Sequence, residues 1–544
     1  MKDHDITRQL PLDQTMQSFL GSAATPEAKI RIVQAALESA QGTFWRKELG
    51  SWAARMVPVE LLVPEEHREW RPLVHEAIVL VVAKLSAGRL APKIVEQLTL
   101  GADTSVEERL LRFIAKVPGL QKIGQVLARN RELHPRLRKA LIKLENGIAD
   151  VPVEEIVAII QKNLQAQIEA YDIKLESKML SEASVSAVVG FSWRNPEARR
   201  RERGVFKVLK PHISSCYAED MRILSQLAGY LARKRHVTGV KLGNLIETLT
   251  EIRLLLEREV DFPREQATLA GALSEYRGLE GVRVPELIPA LSTANITALT
   301  FESGKKVTAV ESLPKTARME VAERLARTLL EVPALSRERE AIFHADPHAG
   351  NLLFDKRSRR LVILDWALTD RLTRKQRRSV LLLVLMMALR DAEGMVKSVE
   401  ELCQGKADDR GRRDTIQVHV KRLLDKLPIT KWPGPVEALR LLDRIAMDGT
   451  RFPAALLMFR KAAFTLEGVV QDIAGTPVRL DTLVASHAAA RWKDTAASLL
   501  LLLSPGDWLR LEWSALTLGS RVSSHALAHT WRLLAALPAH QGPA

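Results

Sequence analysis

Helical periodicity runs through nearly all of this 544-residue chain, and the few places where it breaks decide what the chain can fold into. Stretches such as PEAKIRIVQAALESAQ and VEEIVAIIQKNLQAQI repeat apolar residues every three or four positions, the signature of amphipathic helices. Thr104–Ser105 ahead of VEERLLRFIAKV marks a helix start. The first break lies at 184–193 (SVSAVVGFSW) and 204–209 (GVFKVL), β-branched and aromatic segments joined by an Arg-rich turn, which predicts a β-hairpin. A second, at 281–304, reads as two more short strands. A third is the loop at 344–351, followed by a short LLF…LVIL hairpin, with helix expected elsewhere from 316 to the end. A small sheet between large helical blocks predicts a helix-rich α+β fold of two lobes.

Lys plus Arg exceed Asp plus Glu by 15, and the pI is near 9.8, so an anionic partner is expected: nucleotide phosphates, an anionic membrane surface or nucleic acid. The basic runs at 194–203, 356–360 and 371–378 lack regular aromatic interleaving, which argues against a nucleic-acid groove and for solvated faces. Two cysteines, Cys216 and Cys403, far apart in sequence, point to a reducing, cytoplasmic setting and away from a thiolate metal site. The polar N-terminus MKDHDITRQLPLD does not read as a secretory signal. No apolar run approaches the ~18–20 residues that span a bilayer. Ala77–Ala83 and Val380–Leu389 read as buried core helices. The tail KDTAASLLLLLSPGDWLRLEWSALTLG, with Trp508 and Trp513 beside Arg510, suits either a core-docking helix or an amphipathic helix lying in a membrane interface.

Chemistry concentrates in FHADPHAGNLLF (343–354). On a strand, His344, Asp346 and His348 would share a face and could hold zinc. Phosphoryl transfer fits the spacing better. It requires an Asp to orient the attacking hydroxyl, an Asn five residues later for Mg²⁺, and a second Asp beyond for Mg²⁺ against the β/γ-phosphates. Asp346, Asn351 and Asp365 follow in that order, and the strands NLLF and LVIL would bring Asn351 and Asp365 to one rim. A kinase also needs a strand lysine for the α/β-phosphates and a helical glutamate to position it. Lys207 in GVFKVLKP and Glu265 in EVDFPREQATLA fill those places.

Together these residues resemble the UbiB/AarF (ADCK) atypical kinase family over about residues 110–405. QKIGQVLARNRELHP is similar to its KxGQ motif, with Lys122, Gly124 and Gln125. REVDFPREQATLA is similar to its ExD motif and helix glutamate, with Glu259, Asp261 and Glu265. SEASVSAV (181–188) stands at the alanine-rich nucleotide loop, and ILDWA at the metal position. The resemblance implies a two-lobed kinase-like fold: a KxGQ helical extension (111–175), a small lobe (176–303) and a large lobe (304–480), flanked by helical regions at 1–110 and 481–544.

It further implies ATP and Mg²⁺ as cofactors, with Asp346, Lys207 and Glu265 catalytic and Asn351 and Asp365 holding metal. Ala183, Ser184, Val185 and Glu302 would contact nucleotide, the stretch 300–304 forming a hinge against adenine. Lys122 would pair with Glu259 over the site, while His344 and His348 support the loop. The expected role is an atypical kinase or ATPase serving isoprenoid-lipid (ubiquinone-type) biosynthesis, with an anionic or isoprenoid lipid and a peripheral membrane surface as partners. Two alternatives stay open: a nucleotide-binding regulatory scaffold, or a small-molecule phosphotransferase of the aminoglycoside/choline kinase type. Three departures bear on them. Asp365-Trp366-Ala367 replaces Asp-Phe-Gly and so loses a glycine's backbone freedom. Glu182 would repel phosphates if it pointed toward them. Finally, family members often end in transmembrane helices, and no such segment occurs here.

Overall fold

The computed structural model describes residues 25–535 apart from 57–58, 64, 102, 129–133, 143, 145–150, 239–242, 310–312, 405–408 and 429–432. The N-terminal stretch 1–13 and the end of the KxGQ segment, 129–133, therefore lie outside the described residues. The chain divides into two compact units: Met1–Gln266 with Leu287–Phe301, and Ala267–Glu286 with Glu302–Ala544.

In the first unit, helix ends carry the local signals expected of them. Thr25 caps Pro26–Glu38 by accepting from the Ala28 N–H, and Ser105 caps Val106–Ile114 by accepting from the Glu108 N–H at 3.2 Å. The apolar faces of these helices and of Ala87–Thr99, including Leu37, Leu90, Ile94 and Ile114, merge with those of Ile213–Thr238 and Gly243–Val260 (Leu224, Leu256) into one core. That core also holds the helix Pro118–Ala128, which bears the KxGQ residues. Gly124 packs so closely there that a Cβ would sit 2.5 Å from Leu144 Cδ1.

A second core in the same unit underlies an antiparallel sheet of order β1-β2-β3-β5: β1 (Lys174–Glu182), β2 (Ser186–Asn195), β3 (Arg200–Leu209) and β5 (Ile296–Thr300). Phe191 and Phe206 stack at 4.0 Å, and Ile156, Ile160 and Leu164 of helix Val153–Ala170 pack beneath. The predicted hairpin is β2–β3. β1 is an addition: KLESKMLSE is mostly polar or charged and has no buried residue, so its strand character comes from pairing with β2 rather than from its own composition. The segment 181–188 is correspondingly not one loop. Residues 181–182 belong to β1 and 186–188 to β2, leaving a tight turn at 183–185.

The second unit contains β4 (Val282–Arg283), β6 (Lys305–Lys306), β8 (Leu352–Asp355) and β9 (Arg360–Ile363), paired in the order β4-β9-β8-β6. A separate antiparallel pair joins β7 (Glu340–His344) to β10 (Thr369–Thr373). The expected LLF…LVIL hairpin is β8–β9, but β7 and β10 correct the expectation that the rest is helical. Their flanking helices mask so short a pair in the periodicity. Helix Arg374–Ala388 begins in a capping box of Thr373 and Gln376 and buries Val380, Leu383, Met386 and Met387, as expected for that apolar run. No helix among the described residues is long and apolar enough to cross a membrane.

Candidate active site

In the first unit, β3 places Lys207 opposite Val188 of β2 and Thr297 of β5. Its Nζ lies 2.7 and 2.9 Å from the two carboxylate oxygens of Glu265, which is buried, and 5.6 Å from the centre of the Phe262 ring. Glu265 is oriented by the start of its own helix, Phe262–Tyr276. Asp261 caps that helix, its Oδ1 accepting from the Arg264 N–H at 3.1 Å, and Pro263 fits the first turn. Asp261 thus acts on Glu265 through the backbone.

The KxGQ residues meet the turn at 183–185 in the same unit. Lys122 forms an ion pair with Glu259, and the second oxygen of Glu259 accepts from Ser184 Oγ at 3.3 Å. Gln125 donates instead to the Leu144 carbonyl at 2.9 Å. The buried Asp220 accepts from the Gly119 N–H at 2.8 Å and pairs with Arg89 at 2.6 Å, fastening the N-terminus of the KxGQ helix. Glu182 pairs with the fully buried Lys210 Nζ at 2.7 Å. That partner neutralises the carboxylate, so the repulsion expected of Glu182 does not arise. Sequence reasoning missed Lys210, Asp220 and Arg89. The second lysine of KVLKP was the one available signal.

In the second unit, β7 delivers His344 into the core. Its Nδ1 accepts from the Asp346 N–H at 3.2 Å, so Nε2 carries the proton and donates to the Leu364 carbonyl at 3.0 Å. Burial lowers its pKa and keeps it neutral. His348 caps the turn Ala349–Asn351, its Nδ1 accepting from the Gly350 N–H. With both nitrogens of His344 and Nδ1 of His348 engaged in the loop, the structure does not gather these residues as zinc ligands. Among the described residues no group of three or more His, Cys, Asp or Glu is placed to hold a metal.

Asn351 Nδ2 donates to the Asp346 carbonyl at 3.3 Å, so the amide oxygen Oδ1 is the side chain's lone-pair donor. Leu352 pairs with Ile363, and the Leu364 N–H donates to the Asn351 carbonyl at 2.8 Å. This β8–β9 register sets Asn351 beside the loop that carries the exposed Asp365. One amide oxygen and one carboxylate are hard ligands, the set that Mg²⁺ takes when substrate phosphates and water complete its shell. The residues present therefore fit Mg²⁺.

The Asp-Trp-Ala triplet settles differently from the expectation. The left-handed residue is Asp365, at φ +54°, and Ala367 is not among the positive-φ residues, so this conformation asks for no glycine there. Trp366 is buried edge-on to Tyr276 and His344, each at 5.2 Å, and its indole N–H donates to the Ile363 carbonyl at 3.2 Å. Its bulk fills core beside the loop. Glu302 follows β5, half-buried, its pKa raised by burial.

Known proteins match this arrangement. Residues 143–399 match the ABC1 atypical kinase-like domain; the KxGQ residues precede that match. The chain is 24% identical over 355 residues to Protein ACTIVITY OF BC1 COMPLEX KINASE 7, chloroplastic, of Arabidopsis thaliana, covering 65% of this chain and 50% of that one. It is 26% identical over 363 residues to protein sll1770 of Synechocystis, covering 65% and 59%. It is 25% identical over 232 residues to Probable protein kinase UbiB of Actinobacillus pleuropneumoniae, covering 42% of each. The chain thus spans about half the length of the curated relatives it matches. Residues 143–399 are thus similar to the ABC1 atypical kinase-like domain, and the chain's relatives include a UbiB-type probable kinase and a BC1 complex kinase.

Proposed function

We propose that the chain is an ATP- and Mg²⁺-dependent atypical kinase or ATPase. The observation that carries this reading is the buried Lys207–Glu265 pair, a strand lysine held by a helix glutamate. In this reading Lys207 binds the α/β-phosphates, Glu265 positions it, and Asn351 Oδ1 and Asp365 take the metal. Asp346 accepts the proton of the attacking hydroxyl. His344, neutral and bonded at both nitrogens, braces the loop, and His348 caps its turn. Ala183, Ser184, Val185 and the backbone around Glu302 take the nucleotide. The bound metal supplies charge neutralisation along the phosphates.

Two features support turnover over a purely regulatory role: Lys210 neutralises Glu182, and Ala367 carries no strained backbone. By likeness to UbiB, the proposed role is in isoprenoid-lipid metabolism of the ubiquinone type. The test is Mg²⁺-dependent phosphate release from ATP by wild type and Asp365→Asn. Activity in the wild type that the variant loses supports the reading, and equal turnover in both sinks it. A thermal shift with ATP but no turnover in either protein identifies the regulatory scaffold instead.

A further inference from the structure

Three helices of the first unit meet at a cavity of about 330 Å³. Arg46 reaches it from Gly42–Met56, Lys84 from the last turn of Arg71–Lys84, and Arg222 from Ile213–Thr238. The first two helices belong to the stretch before residue 110, which takes no part in the candidate active site. Leu85, Ser86 and Gln226 also line the cavity, and no carboxylate is among its lining residues.

The lining is held in place from behind. Arg46 Nη1 donates to the carbonyl of the fully buried Leu85, which fixes that guanidinium at the cavity wall. Ser86 opens helix Ala87–Thr99, yet its hydroxyl does not cap that helix. The acids close by are committed elsewhere. Glu219 Oε1 accepts from the Ser86 N–H at 2.6 Å and faces Arg89 at 3.6 Å. Asp220 takes Arg89 and the Gly119 N–H. Among the described residues, neither Lys84 nor Arg222 has an ion-pair partner. Arg378 and Arg413, by contrast, each meet two carboxylates. A cleft lined by one sign of charge focuses its field on a counter-ion, and like charges gathered without one repel.

We propose that this cavity binds a small, soluble phosphate monoester, with the phosphate group between Arg46, Lys84 and Arg222. Arginine offers a planar fork that matches phosphate oxygens, and lysine adds a compact point charge. A phosphate ester carries about −1.5 to −2 charges at neutral pH and three acceptor oxygens, which suits cations arriving from three helices better than a carboxylate does. Ser86 Oγ and the Gln226 amide supply neutral donors at the same wall. The volume lies at the low end of the ~300–1,000 Å³ range of small-molecule sites, so the ester's organic portion fits beside the phosphate. The inference is independent of phosphoryl transfer, since none of these residues belongs to the candidate active site.

The test is isothermal titration of the full chain with glycerol 3-phosphate, in EDTA and without nucleotide. Wild type is expected to bind it saturably at one site, more weakly as salt is raised, and to give no binding heat with glycerol. Arg46→Gln/Arg222→Gln keeps good helix formers in place and should bind at least about tenfold more weakly, with unchanged circular dichroism. Arg222→Glu, a single change at an exposed position, should weaken binding comparably, which separates lost binding from lost folding. Lys207→Met/Glu265→Leu removes the active-site lysine and should bind like wild type. Wild type that shows no binding at about 10 mM ligand overturns the proposal. So does an Arg46/Arg222 double variant that binds undiminished. Binding lost in Lys207→Met/Glu265→Leu also overturns it, because the ester would then occupy the candidate active site.

Discussion

Replacing Glu265 by Gln takes a carboxylate away from the largely buried ammonium of Lys207, and the cost can be worked out in advance. Glu265 is 5% exposed and supplies both charge-assisted bonds to Lys207 Nζ, at 2.7 and 2.9 Å. Removing one partner of a buried ion pair costs about 3–5 kcal/mol, because the remaining charge has already given up most of its water and now loses this carboxylate. The Gln carbonyl still accepts one hydrogen bond from the ammonium, which offsets about 1 kcal/mol of that loss. The Phe262 face at 5.6 Å is present in both proteins and cancels. The expected loss is about 2–4 kcal/mol, a large share of the 5–15 kcal/mol that holds a typical domain. At a urea slope of about 2 kcal/mol/M, the unfolding midpoint falls by about 1–2 M. The loss is to be measured by urea titration and by hydrogen exchange at the β3 amides of Phe206 and Val208. Lys207→Met/Glu265→Leu is the control, since replacing both charges by apolar groups removes the ammonium together with the carboxylate and should recover most of the stability. A midpoint within ~0.3 M of wild type for Glu265→Gln would refute the reasoning. So would a double variant as unstable as the single, which would place the cost in helix packing instead of charge.

Two further outcomes follow from local geometry. Gly204→Ala should destabilise by about 1–3 kcal/mol, seen as a lowered Tm, because overpacking at a rigid site is not relieved. A Cβ there would meet Phe191 Cζ at 2.4 Å and the Leu299 carbonyl at 3.0 Å, while Phe191 is fixed in its stack on Phe206. Asp507, held by hydrogen bonds from Arg378 and Ser504, has its pKa lowered to about 2. A lowered carboxylate pKa contributes stability that is fully present above the unfolded value near 4 and is lost as pH falls through 2. At neutral pH Asp507→Asn should therefore cost about 2–3 kcal/mol. The gap from wild type should close between pH 4 and 2 in denaturant titrations, and a gap constant across that window would contradict this account.

Much of the molecule was legible in the amino-acid order because the signals are local. The β2–β3 hairpin announced itself through β-branched and aromatic residues, and Ser105 and Asp261 cap the helices they precede. The order Lys207, Glu265, Asp346, Asn351, Asp365 needed only motif spacing. The strands β1, β7 and β10 were not legible, since β1 is largely polar and the β7–β10 pair is hidden among helices. Their strand character comes from pairing, which no window of sequence contains.

The sequence by itself determined which chemical groups this chain can bring to a phosphate and in what order, because spacing along a strand, turn or helix start sets where each side chain begins. Only the tertiary structure decided what those groups mean. Glu182 looked repulsive until the buried Lys210 faced it, and His344 looked like a zinc ligand until both its nitrogens proved to be bonded within the loop. Ala367 looked costly until the left-handed residue proved to be Asp365. In each case the outcome turns on what surrounds a charge, a lone pair or a φ angle, and those surroundings come from residues distant in sequence or from the conformation the whole fold imposes.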